Sequence, residues 1–391
     1  MITSLSNTKL ARINEVLSLV PPLHHGFLGG SLGLLYYYYY AGEALQDEAL
    51  YDKADALLEQ VFAHLNDDKG SLSGYAFSDG AAGLGYVLSN LQQNGLLDFD
   101  IDTELTDIDR YIFDAALDHI TKTKVDYLHG AMGALHYFSS RVQTPVINQY
   151  VNELTAAFCT AAISHDNGIY FLNSSLERLD NKKVDLGLAH GLPGFLLLLI
   201  DAWPNVKDKE RLEQIIRAGI AFILSQEQPA RAMQDEYSSF PCYLELDPHK
   251  SFRIDRLAWC YGDLNTVLLL YRAGKVLGTD AYTHIANRLG RQSVGRRDEE
   301  ATLSKDTHFC HGSAGLAQFY KCLYQESENQ IYLDAYRYWI AVTMELIDDE
   351  IEKGKYSANP VSILEGWPGV GLVLIEYMAN RPMNWAKAFL L

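Results

Sequence analysis

His190-Gly191-Leu192-Pro193-Gly194, followed by the unbroken apolar run from Phe195 to Ile200, is the stretch on which the reading of this chain turns. A polar or ring-bearing residue, a glycine, two residues and a second glycine open a strongly apolar segment. The same arrangement recurs at His25-Gly26-Phe27-Leu28-Gly29, Asp79-Gly80-Ala81-Ala82-Gly83 and His129-Gly130-Ala131-Met132-Gly133. It returns in degenerate form at Tyr261-Gly262-Asp263-Leu264-Asn265, then at His311-Gly312-Ser313-Ala314-Gly315 and Glu365-Gly366-Trp367-Pro368-Gly369. The first glycines of these seven turns fall 50 to 71 residues apart, about the length of two helices and two connections.

Between the turns the apolar residues keep a helical period, as in Leu50, Ala54, Leu57, Leu58 and Val61 or Leu333, Ala335, Tyr338, Trp339 and Val342. The segments just after each turn are apolar on all sides, as expected of helices that touch neighbours all round. Each repeat therefore reads as an inner and an outer helix. Seven such pairs close into an all-α, seven-fold α/α toroid, a double helical barrel, because closure leaves no end repeat uncapped. No break in composition divides residues 1–391, which read as one domain. One irregular excursion is expected at about 201–255, where Pro204, Pro229, Pro241 and Pro248 interrupt the period; it should lie over the mouth of the ring. The run Tyr36 to Tyr40 spans more than one helical turn and reads as packing.

The 391 residues are 48% hydrophobic, enough for a large core, and carry 50 acidic against 32 basic side chains, a net charge of −18 spread along the chain. That surface repels a nucleic-acid backbone and excludes it as a partner. The first twenty residues lack an uninterrupted apolar core of the secretory kind, and no run approaches the roughly 18 apolar residues of a spanning helix. A cytoplasmic protein is expected. Five cysteines are too few and too scattered for a disulfide scaffold.

If the seven turns gather at one end of the toroid, the residues ahead of the glycines face a common mouth. Two motifs place soft ligands there: Trp259-Cys260-Tyr261-Gly262 and Cys310-His311-Gly312. Two thiolates and an imidazole suit one zinc ion per chain, with the fourth tetrahedral position open as in catalytic zinc sites. His308 is the residue that could close the site instead. Cys159 and Cys322 fall on helices and read as buried, inert thiols. His25, His129, Asp79 and Glu365 read first as caps of the inner helices, and His136 as a core or surface histidine.

Seven glycine-turn helix pairs combined with Trp-Cys-Tyr-Gly and Cys-His-Gly resemble the lanthionine synthetase C family, cyclases that close thioether rings in lantibiotic peptides. The resemblance covers essentially the whole chain. It implies zinc at the mouth, held by residues matching Cys260, Cys310 and His311, and a catalytic histidine matching His190 in Ala189-His190-Gly191. It also implies functional roles for Asp126, four residues before Gly130, for Arg256, four before Cys260, and for Tyr261. Asn265 departs from the family pattern, which has glycine there. No attached dehydratase domain is expected, so the implied partners are a dehydrated precursor peptide, a separate dehydratase and a transporter complex through which the protein would associate peripherally with the membrane.

The chemistry follows from the residues. Zinc with an open position turns a substrate cysteine, of free pKa about 8.5, into a thiolate near pH 7. Addition to dehydroalanine or dehydrobutyrine gives an enolate that needs a proton at Cα, for which His190 is the candidate donor. Asp126 would orient that imidazole and keep it protonated, while Arg256 and Tyr261 would stabilise the enolate oxygen. Three other readings compete: addition of glutathione or another small thiol to dehydroamino acids in proteins, a non-catalytic peptide-binding toroid with a four-ligand zinc, and a glycosidase using Asp79, Asp126 and Glu365.

Overall fold

The computed structural model describes residues 2–65, 72–98, 100–176, 182–228, 237–246, 249–381 and 383–391. Seven inner helices are present among them: Ser31–Leu45, Ala81–Gln93, Ala131–Ser140, Leu192–Ala202, Asp263–Leu277, Ser313–Ser327 and Trp367–Ala379. Each packs on the next, and the last packs on the first, so the inner barrel is closed. Outer helices run back between them; the first, Ile2–Ser18, completes the pair of the last inner helix. Lys9 and Arg12 hold it there through Asp348 on the neighbouring outer helix Gln330–Glu352.

The inner helices are apolar all round because the barrel buries every face. Leu192–Ala202 has all but one of its residues buried, and Tyr36 to Tyr40 are buried to the last ring. Their hydroxyls find partners: Tyr36 and Tyr40 donate to Asn90 Oδ1 at 3.0 and 2.7 Å, Tyr39 to Asp55 and Tyr37 to Asn14. Cys159 and Cys322 lie buried on helices, as expected.

The turns themselves are laced into a ring. Phe27 N donates to Ser78 O, Ser78 N to Leu128 O, Leu188 N to Cys260 O, Cys260 N to Cys310 O and Cys310 N to Leu364 O; Ile363 N to Leu28 O closes the circle. Between the third and fourth turns a side chain does the bridging: Asn173 Nδ2 donates to both Asp126 Oδ2 and His190 O. Each inner helix starts at a glycine with no side-chain cap. Of the residues expected to cap them, His25 pairs with Ser31 Oγ in the first turn of an inner helix, His129 pairs with Ser78 Oγ, and Asp79 accepts from Ser78 Oγ.

Two further expectations are corrected. The first turn is four residues later than the sequence reading placed it. The N-cap is Gly30, Ser31 N donates to His24 O and Gly30 N to Gly26 O, matching Ala81 N to Gly74 O and Gly80 N to Ala76 O in the second turn. The motif is thus Gly29-Gly30-Ser31-Leu32-Gly33, and His25 does not lead it; His25 bridges Ser31 Oγ at 2.9 Å and His64 Nδ1 at 2.7 Å. The excursion also begins later than 201. Lys209–Leu224 is a regular outer helix with Leu212, Ile216, Ile220 and Ile223 turned inward; the chain leaves the helical pattern only after it. There β4 (Tyr243–Leu246) pairs with β3 (Lys183–Asp185) and with β5 (His249–Phe252), all antiparallel, while β1 (Ile163–His165) and β2 (Gly168–Tyr170) form a separate hairpin. Pro229 and Pro248 lie outside the described residues.

Asn265 shows how the degenerate fifth turn works. At the equivalent Gly315 a Cβ would sit 1.8 Å from Phe309 O, so the regular turn excludes any side chain. In the fifth turn Gly262 takes φ +119°, whereas the other N-cap glycines lie between −105° and −144°. Asn265 is helical, not left-handed, and uses its side chain: Nδ2 donates to Trp259 O at 2.9 Å and Oδ1 accepts from Leu188 N at 3.2 Å.

The 3₁₀ turn Asn384–Phe389 plugs the barrel axis. Phe389 packs its ring against Phe27, Trp259 and Phe309, Trp259 Nε1 donates to Phe389 O, Tyr127 to Ala388 O and Trp385 Nε1 to Glu376 Oε2. His136 belongs to this core. It is buried among Phe77, Tyr86 and Tyr127, and burial pushes its imidazole down to about 3, so it is neutral.

Candidate functional site

The backbone bond from Cys260 N to Cys310 O sets the fifth and sixth turns side by side and brings both thiols to one point. Ligand atoms of Cys260, Cys310 and His311 all lie within 4.8 Å of one another, and no other group of three His, Cys, Asp or Glu residues among the described residues is arranged to hold a metal. The three residues fit a soft cation on three counts. His311 Nδ1 is buried and makes no hydrogen bond among the described residues. The hydrogen bond from Cys310 pulls the Cys260 thiol down to about 5, against the effect of burial, while the same contact and burial drive Cys310 well up. A buried Cys260 thiol hydrogen-bonded to that of the half-buried Cys310 is an arrangement that a divalent ion would complete by taking both as thiolates.

His308 is not a fourth ligand. Its Nδ1 accepts from His311 N at 3.3 Å, and its ring nitrogens are not among the ligand atoms that converge with those of Cys260, Cys310 and His311. Its ring packs edge-on against His311 at 4.0 Å between centroids and fixes that imidazole from behind. The four-ligand arrangement required by a purely structural zinc is therefore absent among the described residues.

On the neighbouring turns stands the second element. His190 Nδ1 meets Asp126 Oδ2 at 2.9 Å, and Asp126 is fully buried. Burial pushes that carboxyl up, but His190, His129 and Asn173 outweigh it and hold Asp126 below the usual carboxylate range. Asp126 Oδ1 meanwhile accepts from Leu128 N and His129 N, both at 2.9 Å. A carboxylate so fully used cannot serve as half of a glycosidase pair, which takes Asp126 out of that reading. His129 stacks on His190 at 5.9 Å and pairs through Nδ1 with Ser78 Oγ, which also donates to Asp79. Glu365 is exposed on the far side, near enough for its charge to raise Cys310.

Beside these groups opens a pocket of about 350 Å³ lined by Asp185, Cys242, Tyr243, Ile254, Arg256 and Tyr261, with Lys183 at its rim. The β3–β4 pair and the residues after β5 form its wall, so the excursion does reach the mouth. It is pinned by Asp263 at the start of the fifth inner helix, which accepts from Ser239 N and Phe240 N. Arg256 is half-buried, its Nε has no hydrogen-bond partner among the described residues, and its charge favours the thiolate form of both cysteines. The Tyr261 hydroxyl donates to Asp185 Oδ2 at 2.6 Å.

Cys260, Cys310, His311, His190, Asp126, Arg256 and Tyr261 thus share the mouth, whereas His25 is tied to an outer helix. Sequence reasoning missed Asn173, which bridges the third and fourth turns, and Asp185, which holds Tyr261. Asp185 had one signal: it stands six residues before Gly191, as Arg256 stands six before Gly262.

A closed α/α barrel that gathers at one mouth an Asp–His pair and a two-thiol, one-imidazole group that could hold a metal defines the class, a toroidal enzyme of lanthionine synthetase type. The family model described as lanthionine synthetase C-like protein matches residues 22–390. The nisin biosynthesis protein NisC of Lactococcus lactis subsp. lactis is 27% identical over 372 residues, which cover 87% of this chain and 82% of that protein. A solved structure of nisin cyclase superimposes with a TM-score of 0.79 at 19% identity, covering 100% of this chain and 97% of its own, a likeness of fold. The chain belongs to the lanthionine synthetase C-like family.

Proposed function

We propose that this protein is a zinc-dependent peptide cyclase that adds a cysteine thiolate to dehydroalanine or dehydrobutyrine, forming lanthionine or methyllanthionine rings in a ribosomal peptide. The observation that carries the reading is the convergence at one mouth of the Cys260, Cys310 and His311 ligand atoms with the His190–Asp126 hydrogen bond. Zinc held by those three residues supplies the Lewis acidity that makes a thiol ionise near neutral pH. The remaining work falls to the chain. Asp126 accepts from His190 Nδ1, which fixes the ring and favours the imidazolium, so that the other ring nitrogen can deliver a proton to Cα. Arg256, which lines the pocket and whose Nε has no hydrogen-bond partner among the described residues, stabilises negative charge growing on the amide oxygen. Cys242 and Ile254 line the same pocket with apolar surface. The NisC likeness supports a precursor peptide as substrate. A separate dehydratase, a cytoplasmic location with membrane association only through partners, and one working domain over 1–391 belong to the same proposal; among the described residues no helix is long and apolar enough to cross a membrane.

The test is to incubate zinc-loaded protein with a synthetic peptide carrying one dehydroalanine and one cysteine, then alkylate free thiols and weigh the products. Cyclisation conserves mass and abolishes alkylation. A thiol that stays fully alkylatable with equimolar enzyme and full zinc overturns the reading. Glutathione added to a cysteine-free peptide in parallel separates the small-thiol reading, which requires a mass gain of one glutathione.

A further inference from the structure

Among the described residues, the ladder of backbone bonds that laces the turns together has one gap, between the third and fourth turns, and it falls at the Asp126–His190 pair. Leu128 stands two residues before its turn glycine, as Ser78, Cys260 and Cys310 do in theirs, and each of those three donates its N–H across to the next turn. Leu128 N is instead turned aside to Asp126 Oδ1. Asn173 spans the opening. Its Nδ2 carries two hydrogens and has two acceptors, Asp126 Oδ2 at 2.8 Å and His190 O at 3.2 Å. The same nitrogen therefore holds the main chain of His190 directly and its ring indirectly, because Oδ2 is also the atom that His190 Nδ1 meets at 2.9 Å.

Asn173 is itself fixed. It is buried, and its Oδ1 accepts from Ser175 N at 3.2 Å, which decides the end of the amide that faces the pair. Residues 173–175 are clasped to the third turn: Asp126 N donates to Ser175 Oγ at 3.2 Å, Ser174 N to Thr123 O at 2.8 Å, and the Ser174 and Thr123 hydroxyls meet at 2.9 Å. Aspartate at this place would offer no donor while ionised, and serine a single one. His129 lies nearly parallel on His190, 5.9 Å between centroids and 12° between planes. The His190 ring is thus held at its edge by Asp126 and covered on one face by His129.

We propose that Asn173 is a positioning residue that sets the face on which the substrate enolate receives its proton. The inference rests on the cyclase reading. In the step, the C–S bond forms at Cβ, the electron pair of the alkene passes to Cα and the amide oxygen, and the proton of His190 closes a C–H bond at Cα. The histidine regains a proton equal to the one that the substrate thiol has lost, so ring closure neither makes nor consumes one. Cα becomes a stereocentre, and its configuration follows from the side on which the proton arrives. His190 stands on one side of the mouth, so a fixed ring serves one face of a bound alkene, whereas a ring free to swing competes with water, which serves both. The surroundings favour the fixed donor: burial beside His190 is deep enough to push the Asp185 carboxyl up to about 6, in spite of the bonds from Tyr261 and Gly187. Misplacing a reacting group by about 1 Å costs on the order of 10² in rate.

The decisive readout is the configuration of the product. Zinc-loaded protein in excess closes a peptide carrying one dehydroalanine and one cysteine in deuterium oxide; the product is hydrolysed, derivatised and separated by chiral gas chromatography, with the enzyme-free reaction subtracted. Wild type should give one configuration at the deuterated Cα. At equal zinc, Asn173→Ala should lose about 10-fold to 10²-fold in kcat with little change in KM and raise the minor configuration by about tenfold or more. Asn173→Ser, which keeps one donor and disturbs the packing less, should fall between. An unaltered configuration in both variants, a loss confined to KM, or a wild-type product of mixed configuration overturns the proposal. Proton magnetic resonance provides an arm independent of turnover: the Nδ1 proton of His190, assigned by its absence in His190→Asn, should be a sharp downfield signal in wild type and broaden by exchange with water in Asn173→Ala. A signal that stays as sharp in Asn173→Ala removes the positioning role even if cyclisation itself is confirmed. Wild-type failure to consume thiol would instead remove the cyclase reading.

Discussion

Replacing Asp126 by asparagine separates the charge on His190 from the scaffold that holds it. The carboxylate accepts four hydrogen bonds: Leu128 N and His129 N on Oδ1, Asn173 Nδ2 and His190 Nδ1 on Oδ2. The two backbone amides are fixed by the turn, so an asparagine keeps its Oδ1 there and turns Nδ2 toward Asn173 and His190. His190 Nδ1 must then accept rather than donate. Asn173 meets a donor with a donor unless its amide flips, which would forfeit the bond that its Oδ1 takes from Ser175 N at 3.2 Å. A hydrogen bond to a charged group contributes about 1.5–3 kcal/mol. At 1.36 kcal/mol per pH unit, its loss moves the upper limb of the rate profile about 1–2 units toward lower pH. Stability gives a second reading. Asp126 is held below its ordinary value, so its ionised form stabilises the fold above about pH 4 and that contribution fades as pH falls through the folded value. The Tm deficit of Asp126→Asn should accordingly be present at pH 7 and shrink in acid. The assay is kcat against pH from 5 to 9 at measured zinc content, with melting curves at both ends. An upper limb that does not move, at equal zinc, refutes the pairing of Asp126 with the proton donor.

Zinc content should fall well below one per chain in Cys260→Ala and in Cys310→Ala, measured by plasma mass spectrometry; full metal in both would displace the site. His190→Asn should keep fold and zinc and lose about 10²–10⁴ in ring closure, the range for a general acid, with unaltered cyclisation pointing to another donor. Gly262→Ala places a Cβ 2.4 Å from Arg256 O at φ +119° and should cost about 1–3 kcal/mol, while Gly278→Ala, also at positive φ but with nothing within 4 Å, should keep activity; urea titration and turnover compare the two. Phe389→Ala removes the ring that joins Phe27, Trp259 and Phe309 and should destabilise by about 3–5 kcal/mol, seen as a lower urea midpoint at unchanged zinc.

The toroid was legible in the sequence because its determinants are local: a glycine pair of fixed spacing, an all-round apolar helix after it and a repeat that returns seven times. The metal trio was legible for the same reason, since Cys260, Cys310 and His311 abut glycine turns whose backbones must meet in any closed ring. Where the determinant was a contact through space, sequence could not decide. His25-Gly26 to Gly29 and Gly29-Gly30 to Gly33 have the same glycine spacing, and only the fit of Gly33 under Phe27 O, where a Cβ would lie 2.2 Å away, selects the second. Asn173 carries no motif and Asp185 only its distance from Gly191; their roles arise because a loop of the third repeat and a strand of the fourth are folded against residues far along the chain. The 3₁₀ plug has ordinary local sequence and becomes structural only when the distant aromatic side chains Phe27, Tyr127, Trp259 and Phe309 meet it. Local periodicity fixes which helices form and in what order, but the direction of the Tyr261 proton and the burial that raises Asp185 exist only once the ring has closed and water has been removed from its mouth.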